Sequence, residues 1–262
     1  MEKTRRMRRI FKKDGKAFIV AMDHGTVDGA LPGIEKPSET IEKIIKGGAD
    51  AVIVNVGVAK KFADKLADIG LILRLDVPPT FLNEGHETRL IYEAEYALKL
   101  GADAVIVYVG IGKEVENTAF SALGRVVKYC DEVGLPVCAE VVPGGFDGDI
   151  SLRTLDNIAK TTRIVCELGA DFIKAPYVKG FEKVTQETFC PIVILGGPKQ
   201  EDEMGFLAMI SDSISEGGKG VAMGRNIWGH RDPLNMTRAV AALIHQGLKT
   251  EEAYQILKGD NL

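Results

Sequence analysis

The fold this sequence predicts is α/β, a single (β/α)8 barrel with a short N-terminal helix, and three observations predict it. Eight short runs are apolar throughout instead of alternating, as strands of a parallel sheet are when both faces are covered. Helical patterns of ten or more residues separate most of them. A Gly-Ala-Asp triplet recurs at Gly48-Ala49-Asp50, Gly101-Ala102-Asp103 and Gly169-Ala170-Asp171, each time between the end of a helix and the start of a strand. Glycine there supplies the left-handed residue that ends a helix, and the strand follows without a real loop.

Taken in order, the chain opens with a short helix over residues 5–13, apolar on one side at Met7, Ile10 and Phe11 and basic on the other, suited to plugging the floor of a barrel. The expected strands are 17–22, 51–55, 71–75, 104–108, 137–141, 172–175, 192–195 and 220–223. The expected helices are 37–46, 58–69, 87–100, 115–132, 152–168, 201–216 and 233–245. No linker rich in proline or serine interrupts the alternation, so residues 1–262 are expected to form one domain. An open doubly wound sheet would place a glycine fingerprint after its first strand, and Met22-Asp23-His24-Gly25 is not one.

The chain has 262 residues, 45% hydrophobic, and a formal net charge of -4, which gives no reason to expect nucleic acid despite the basic start. No stretch reads as a signal peptide or a membrane span, so a soluble, cytoplasmic protein with no membrane partner is expected. The four cysteines, Cys130, Cys138, Cys166 and Cys190, are widely spaced in apolar segments and are expected to be reduced.

In a barrel of this kind, chemistry sits at the C-terminal ends of the strands. Polar groups fall there in quantity: Asp23, Asn55, Asp76, Tyr108, Glu140 and Lys174. Lys174 stands out because it interrupts the apolar Phe172-Ile173-Lys174-Ala175 strand. Desolvation favours the neutral, nucleophilic amine; the plain alternative is a lysine that snorkels its charge to the surface. Cys138, Glu140 and Val142 share strand parity, so all face the interior if one does. Glu140, if partly buried, is expected to have its pKa raised toward neutrality, as an acid-base group needs, with a structural ion pair to Lys174 as the alternative. Asp23 and Tyr177 are competing proton carriers, and Lys179 or Lys199 could depress the lysine pKa. His24 is read as an orienting group, through a hydrogen bond inside the first turn, while His86 and His245 are read as solvated or capping residues and His230 lies beside Arg231 past the last strand.

The last two strands end in glycine turns, Gly196-Gly197-Pro198-Lys199 and Gly224-Arg225-Asn226. Small residues let backbone amides approach an anion, and arginine offers a charged fork, so Gly196, Gly197, Gly224 and Arg225 are candidates for binding a substrate phosphate. No histidine or cysteine cluster suggests a metal, and no cofactor is expected.

Together Met22-Asp23-His24-Gly25, Phe172-Ile173-Lys174, Gly196-Gly197-Pro198-Lys199 and Gly224-Arg225-Asn226-Ile227-Trp228 resemble the archaeal-type class I aldolases, the DeoC/FbaB-like Schiff-base TIM-barrel enzymes. That family includes fructose-bisphosphate aldolases, aminodideoxyheptulosonate synthases and a quorum-signal thiolase. The resemblance implies a Schiff base on Lys174 assisted by Asp23, a ketose phosphate on the glycine turns and Arg225, and a homo-oligomer such as a decamer of two rings. Two positions depart from it. Val142 replaces the tyrosine that fructose-bisphosphate aldolases use for proton transfer, and Val56 replaces an arginine or lysine found in several members. The implied activity is carbon-carbon bond cleavage or formation in a phosphorylated keto compound, with a transaldolase-type synthase or thiolase as alternatives. From other classes, a non-catalytic phosphate-binding barrel and a divalent-metal aldolase remain open.

Overall fold

A computed structural model describes residues 2–82, 88–112, 115–146 and 149–259. Eight parallel strands close into a barrel in sequential order: β1 Ala17–Ala21, β2 Ala51–Val54, β3 Gly70–Arg74, β4 Ala104–Ile111, β5 Val137–Pro143, β6 Phe172–Ala175, β7 Ile192–Leu195 and β8 Gly220–Met223. Closure is made by β8 against β1, with Ala17 opposite Gly220 and Val20 opposite Met223. Alternate side chains divide the strands between two cores, as the period of two requires. Ile19, Ile53, Ile72, Ile106, Phe172 and Val193 fill the lower interior, while Val20, Val52, Leu73, Val107, Ile173 and Ile194 pack against the surrounding helices.

The principal helices of that layer are Pro37–Gly47, Val115–Val133, Leu155–Glu167, Glu203–Ser215 and Pro233–Ala241. Several start on side-chain caps, among them Thr154, Asp202 and Asp232, whose oxygens accept from Asn157 N, Gly205 N and Asn235 N. Two expected helices are shorter than their apolar patterns. Val56–Lys61 stops early and turns lead on to β3. Only Ala94–Lys99 of the stretch 87–100 is helical, because Arg89–Leu90 pairs antiparallel with Asp76–Val77. Glu87 and His86 lie outside the described residues. The N-terminal helix, Thr4–Ile10, lies beneath the barrel as expected, sending Ile10 and Phe11 into the floor, where Phe11 meets Phe172 edge to face at 5.5 Å.

The Gly-Ala-Asp repeat has a structural meaning beyond its helix-ending glycines, which take φ of 96° at Gly48, 78° at Gly101 and 97° at Gly169. Each aspartate accepts a hydrogen bond from the backbone of the preceding strand: Asp50 from Phe18 N at 2.7 Å, Asp103 from Leu71 N at 2.9 Å and Asp171 from Val137 N at 2.7 Å. Each also holds one base of the N-terminal segment, Lys12 at 3.7 Å, Arg9 at 2.9 Å and Lys3 at 2.7 Å respectively. The repeat and the basic N-terminus are therefore two halves of one fastening.

The cysteine reading is corrected in part. Cys166, near the end of the Leu155–Glu167 helix, is joined by a disulfide to Cys190, just ahead of β7, with their Cα atoms 6.1 Å apart. Their 24-residue separation concealed that the fold returns one beside the other. Cys130 and Cys138 are free and buried, as expected; burial pushes the Cys130 thiol up to about 12.

Candidate active site

At the C-terminal ends of the strands the barrel interior changes from apolar to ionic. Lys174 comes from β6 and is 6% exposed, so it does not snorkel. Its register partner on β5 is Glu140, 2% exposed, and Lys174 Nζ lies 2.5 Å from Glu140 Oε1. The parity argument holds here, because Cys138, two residues earlier, packs in the lower interior.

The sequence reading passed over Arg74, the last residue of β3, which is 7% exposed. Its Nε donates to Asp23 Oδ2 at 2.8 Å, its Nη1 to Asp76 Oδ1 at 3.2 Å and its Nη2 to Glu140 Oε2. The signal was the one that marked Lys174: a charged residue within a buried strand. Asp76 is held from its other side by Tyr108 N, which donates to Oδ2 at 2.6 Å. Thus three carboxylates, Asp23, Asp76 and Glu140, share a dry site with two cations, Arg74 and Lys174.

Arg74 overturns the expectation that Glu140 would titrate near neutrality. Burial alone would raise its pKa, but the charges of Arg74 and then Lys174 outweigh burial and hold it below the usual glutamate value. Asp23 is likewise depressed, its burial outweighed by Arg74, Lys174 and His24. At Asp76 burial wins, and its pKa rises despite Arg74.

His24 connects this cluster to the glycine turns. Burial, with Lys174 and Arg225 both nearby, holds its pKa below the ordinary histidine value although Asp23 opposes the shift. Among the described residues His24 Nδ1 has no hydrogen-bond partner and lies 3.6 Å from Asp23 Oδ1. Packing places the ring instead, edge to face on Trp228 at 5.3 Å. A Cβ on Gly224 would come within 2.7 Å of His24 Cε1, which is a reason for glycine there.

The two glycine turns are brought together by a buried residue. Asn226 Nδ2 donates to Gly196 O and Pro198 O, both at 3.0 Å, while its Oδ1 accepts from Gln200 N at 2.8 Å. Arg225 is exposed and touches Gly197 O at 3.1 Å, and Gly197 has φ of 63°. At Tyr177, burial and the carboxylates of Glu216 and Asp212 push the phenol up to about 12. Lys179 and Lys199 are exposed. Val142 and Val56 are buried, Val142 opposite Gly110. Among the described residues, no three histidine, cysteine, aspartate or glutamate side chains converge as a metal site.

Known proteins share both the sequence and the barrel. The family model described as DeoC/LacD family aldolase matches residues 17–230. A 2-amino-3,7-dideoxy-D-threo-hept-6-ulosonate synthase from Archaeoglobus fulgidus is 37% identical over 255 residues, covering 97% of this chain and 95% of that one. A crystal structure of an archaeal fructose 1,6-bisphosphate aldolase superposes with a TM-score of 0.86 at 31% identity, over 94% of this chain and all of the other. Another archaeal fructose-1,6-bisphosphate aldolase, with its catalytic lysine covalently bound to the carbinolamine intermediate, superposes with a TM-score of 0.83 at 31% identity, over 93% and 99% of the two chains. With its barrel closed around a buried interior lysine and the family match spanning all eight strands, this chain belongs to the DeoC/LacD family of aldolases and is an enzyme of carbon-carbon bond chemistry.

Proposed function

We propose that this enzyme forms a Schiff base between Lys174 and the ketone of a phosphorylated keto compound. The observation that carries the reading is the contact of 2.5 Å between a buried lysine and a buried glutamate on the interior face of adjacent strands. Glu140 takes a proton from Lys174, the neutral amine adds to the ketone, and Glu140 returns the proton to the carbinolamine hydroxyl, which leaves as water and gives an iminium ion. Glu140, or Asp23 beside it, then removes the proton of a hydroxyl on the far carbon of the bond to be broken. The bonding electrons pass to the iminium, leaving an aldehyde and an enamine, and the enamine is reprotonated and hydrolysed to free Lys174. Val142 cannot serve in this proton transfer, which is why Glu140 is assigned it. Gly196, Gly197, Gly224 and Arg225 bind the phosphate, on turns that Asn226 ties together.

Fructose 1,6-bisphosphate or a related sugar phosphate is the substrate class we favour. The second reading, a synthase acting on a modified phosphorylated ketose, is supported by the Archaeoglobus relative, named as a heptulosonate synthase, and by Val142, which stands where fructose-bisphosphate aldolases carry the proton-transferring tyrosine. The test is borohydride trapping with a panel of phosphorylated and unphosphorylated ketones. A reduced adduct on Lys174, stronger with the phosphorylated members, is expected. Lys174→Met should abolish adduct and turnover while the fold survives, since the stem is kept and the amine lost. Activity above background in that variant would remove Lys174 as the nucleophile.

A further inference from the structure

Arg74 takes no bond-making step in this chemistry, yet it touches each carboxylate of the site. It reaches them from β3, three strands away from the lysine strand. Stability alone gives little reason for such a residue, because apolar groups often replace buried ion networks without loss. The contacts are also asymmetric. Glu140 divides its two oxygens, Oε2 to Arg74 and Oε1 to Lys174, and Asp23 receives both Nε at 2.8 Å and Nη2 at 2.7 Å.

We propose that Arg74 is a positioning residue for the Schiff-base chemistry: it fixes Asp23 and Glu140 beside the Lys174 amine and favours the ionised form of Glu140 for the proton abstraction that follows imine formation. This rests on the Lys174 reading above. Charged and titratable groups face Glu140 from several elements. Arg74 and Asp76 come from β3 and the residues after it, Asp23 and His24 from the end of β1, and Lys174 from β6. Cys138 lies on its own strand, and Tyr108 of β4 is opposite in register with its hydroxyl accepting from Phe146 N at 3.0 Å. Of these, Arg74 and Lys174 are the positive charges that hold Glu140 ionised. The lysine gives its proton to Glu140 on becoming the nucleophile, so the guanidinium is the positive charge that stays beside Glu140 through that step and favours release of the proton to the carbinolamine hydroxyl. A lysine at position 74 would keep the charge but lose the planar fork that spans two carboxylates.

The probe is dihydroxyacetone phosphate, read in two ways: borohydride adduct on Lys174, and exchange of its α-proton with deuterated water, which reports the enamine without a second substrate. Arg74→Gln should still form the adduct at half-saturation unchanged, with exchange slowed ~10². The acid limb of its pH profile should move up by about 1–3 units, the usual effect of one arginine on a neighbouring carboxylate. Arg74→Lys should restore the limb and only part of the rate. A merely structural arginine would lower melting temperature and leave both rate and limb unmoved in the folded protein, which overturns the proposal. Should Arg74→Gln not fold, Arg74→Lys decides: wild-type exchange overturns the proposal, slowed exchange with an unmoved limb supports it. No adduct in the wild-type enzyme overturns the imine reading and this proposal together. An adduct and exchange that survive unchanged in Arg74→Gln overturn only the proposal.

Discussion

The floor and the mouth of this barrel are built from the same residue types, carboxylates with lysine or arginine, and put them to different uses. At the floor, Asp50, Asp103 and Asp171 each accept one strand amide and face a base from the N-terminal segment. Two of those bases are well hydrated, Arg9 at 55% and Lys12 at 45% side-chain exposure. At the mouth, Arg74 and Lys174 are below 9% exposed, and three carboxylates share two cations. Charges that water still reaches exchange hydration for contacts of modest worth and fasten one element to another. Charges removed from water respond strongly to any change in their neighbours, as a site for proton transfer requires. Exposure, more than residue identity, separates the two roles.

That contrast predicts that changes at the mouth cost activity and changes at the floor cost stability. The largest effect should come from Glu140→Gln, which keeps the shape and removes the titration. Turnover should slow by ~10² or more while borohydride still traps the imine on Lys174. If cleavage runs at the parent rate and Tyr177→Phe is the variant that stalls, the proton path runs through Tyr177 despite the carboxylates that raise its phenol.

Next in size is the disulfide at the floor. Cys166–Cys190 closes a loop that contains the whole of β6 and Lys174. By the chain-entropy argument its reduction should cost about 3 kcal/mol of stability. Melting curves with and without reductant measure this, and the Cys166→Ser/Cys190→Ser double variant should be insensitive to reductant. Equal curves for the wild-type protein in both conditions would show the bond contributes nothing.

A smaller loss should follow Asp103→Ala, which leaves Leu71 N without its acceptor and Arg9 without its carboxylate. About 1–3 kcal/mol of stability is expected from the orphaned buried amide, with kcat unchanged. A fall in kcat without a fall in melting temperature would break the division between the two ends.

The smallest effect is a pH dependence at the floor. His245 bridges Asp14 and Asp50, both at 2.8 Å, and these hydrogen bonds raise its pKa against burial. A raised folded pKa means the contribution is fully present below the unfolded value of about 6.5 and is lost as pH rises through the higher folded value. Asp23 and Glu140 at the mouth have the opposite sign: their folded pKa values are depressed, so what they contribute is present above the unfolded values and lost as pH falls. His245→Ala should therefore flatten the alkaline side of a stability-pH curve by about 1 kcal/mol or less and leave the acid side unchanged. A flattened acid side would mean that the two ends are coupled.

What the sequence determined by itself follows from short-range rules. Continuous apolar runs, glycine-ended helices and the Gly-Ala-Asp repeat specify a parallel barrel and its strand order. Strand parity put Cys138, Glu140 and Val142 on one face together. Each of these depends on period or on neighbours a few residues away. What only the tertiary structure decided depends on groups far apart in the chain. The register of β5 with β6 set Glu140 beside Lys174. Glu140 was expected to rise in pKa and instead falls, because Arg74 reaches it across 66 residues of sequence. Tyr177 falls two residues past β6, yet the carboxylates that raise its phenol include that of Glu216, 39 residues on in the chain. Cys166 and Cys190 meet because the helix before β6 ends where the chain leading into β7 begins. Electrostatics and cross-links act through distance in space, and pattern along a chain does not carry that distance until the barrel has closed.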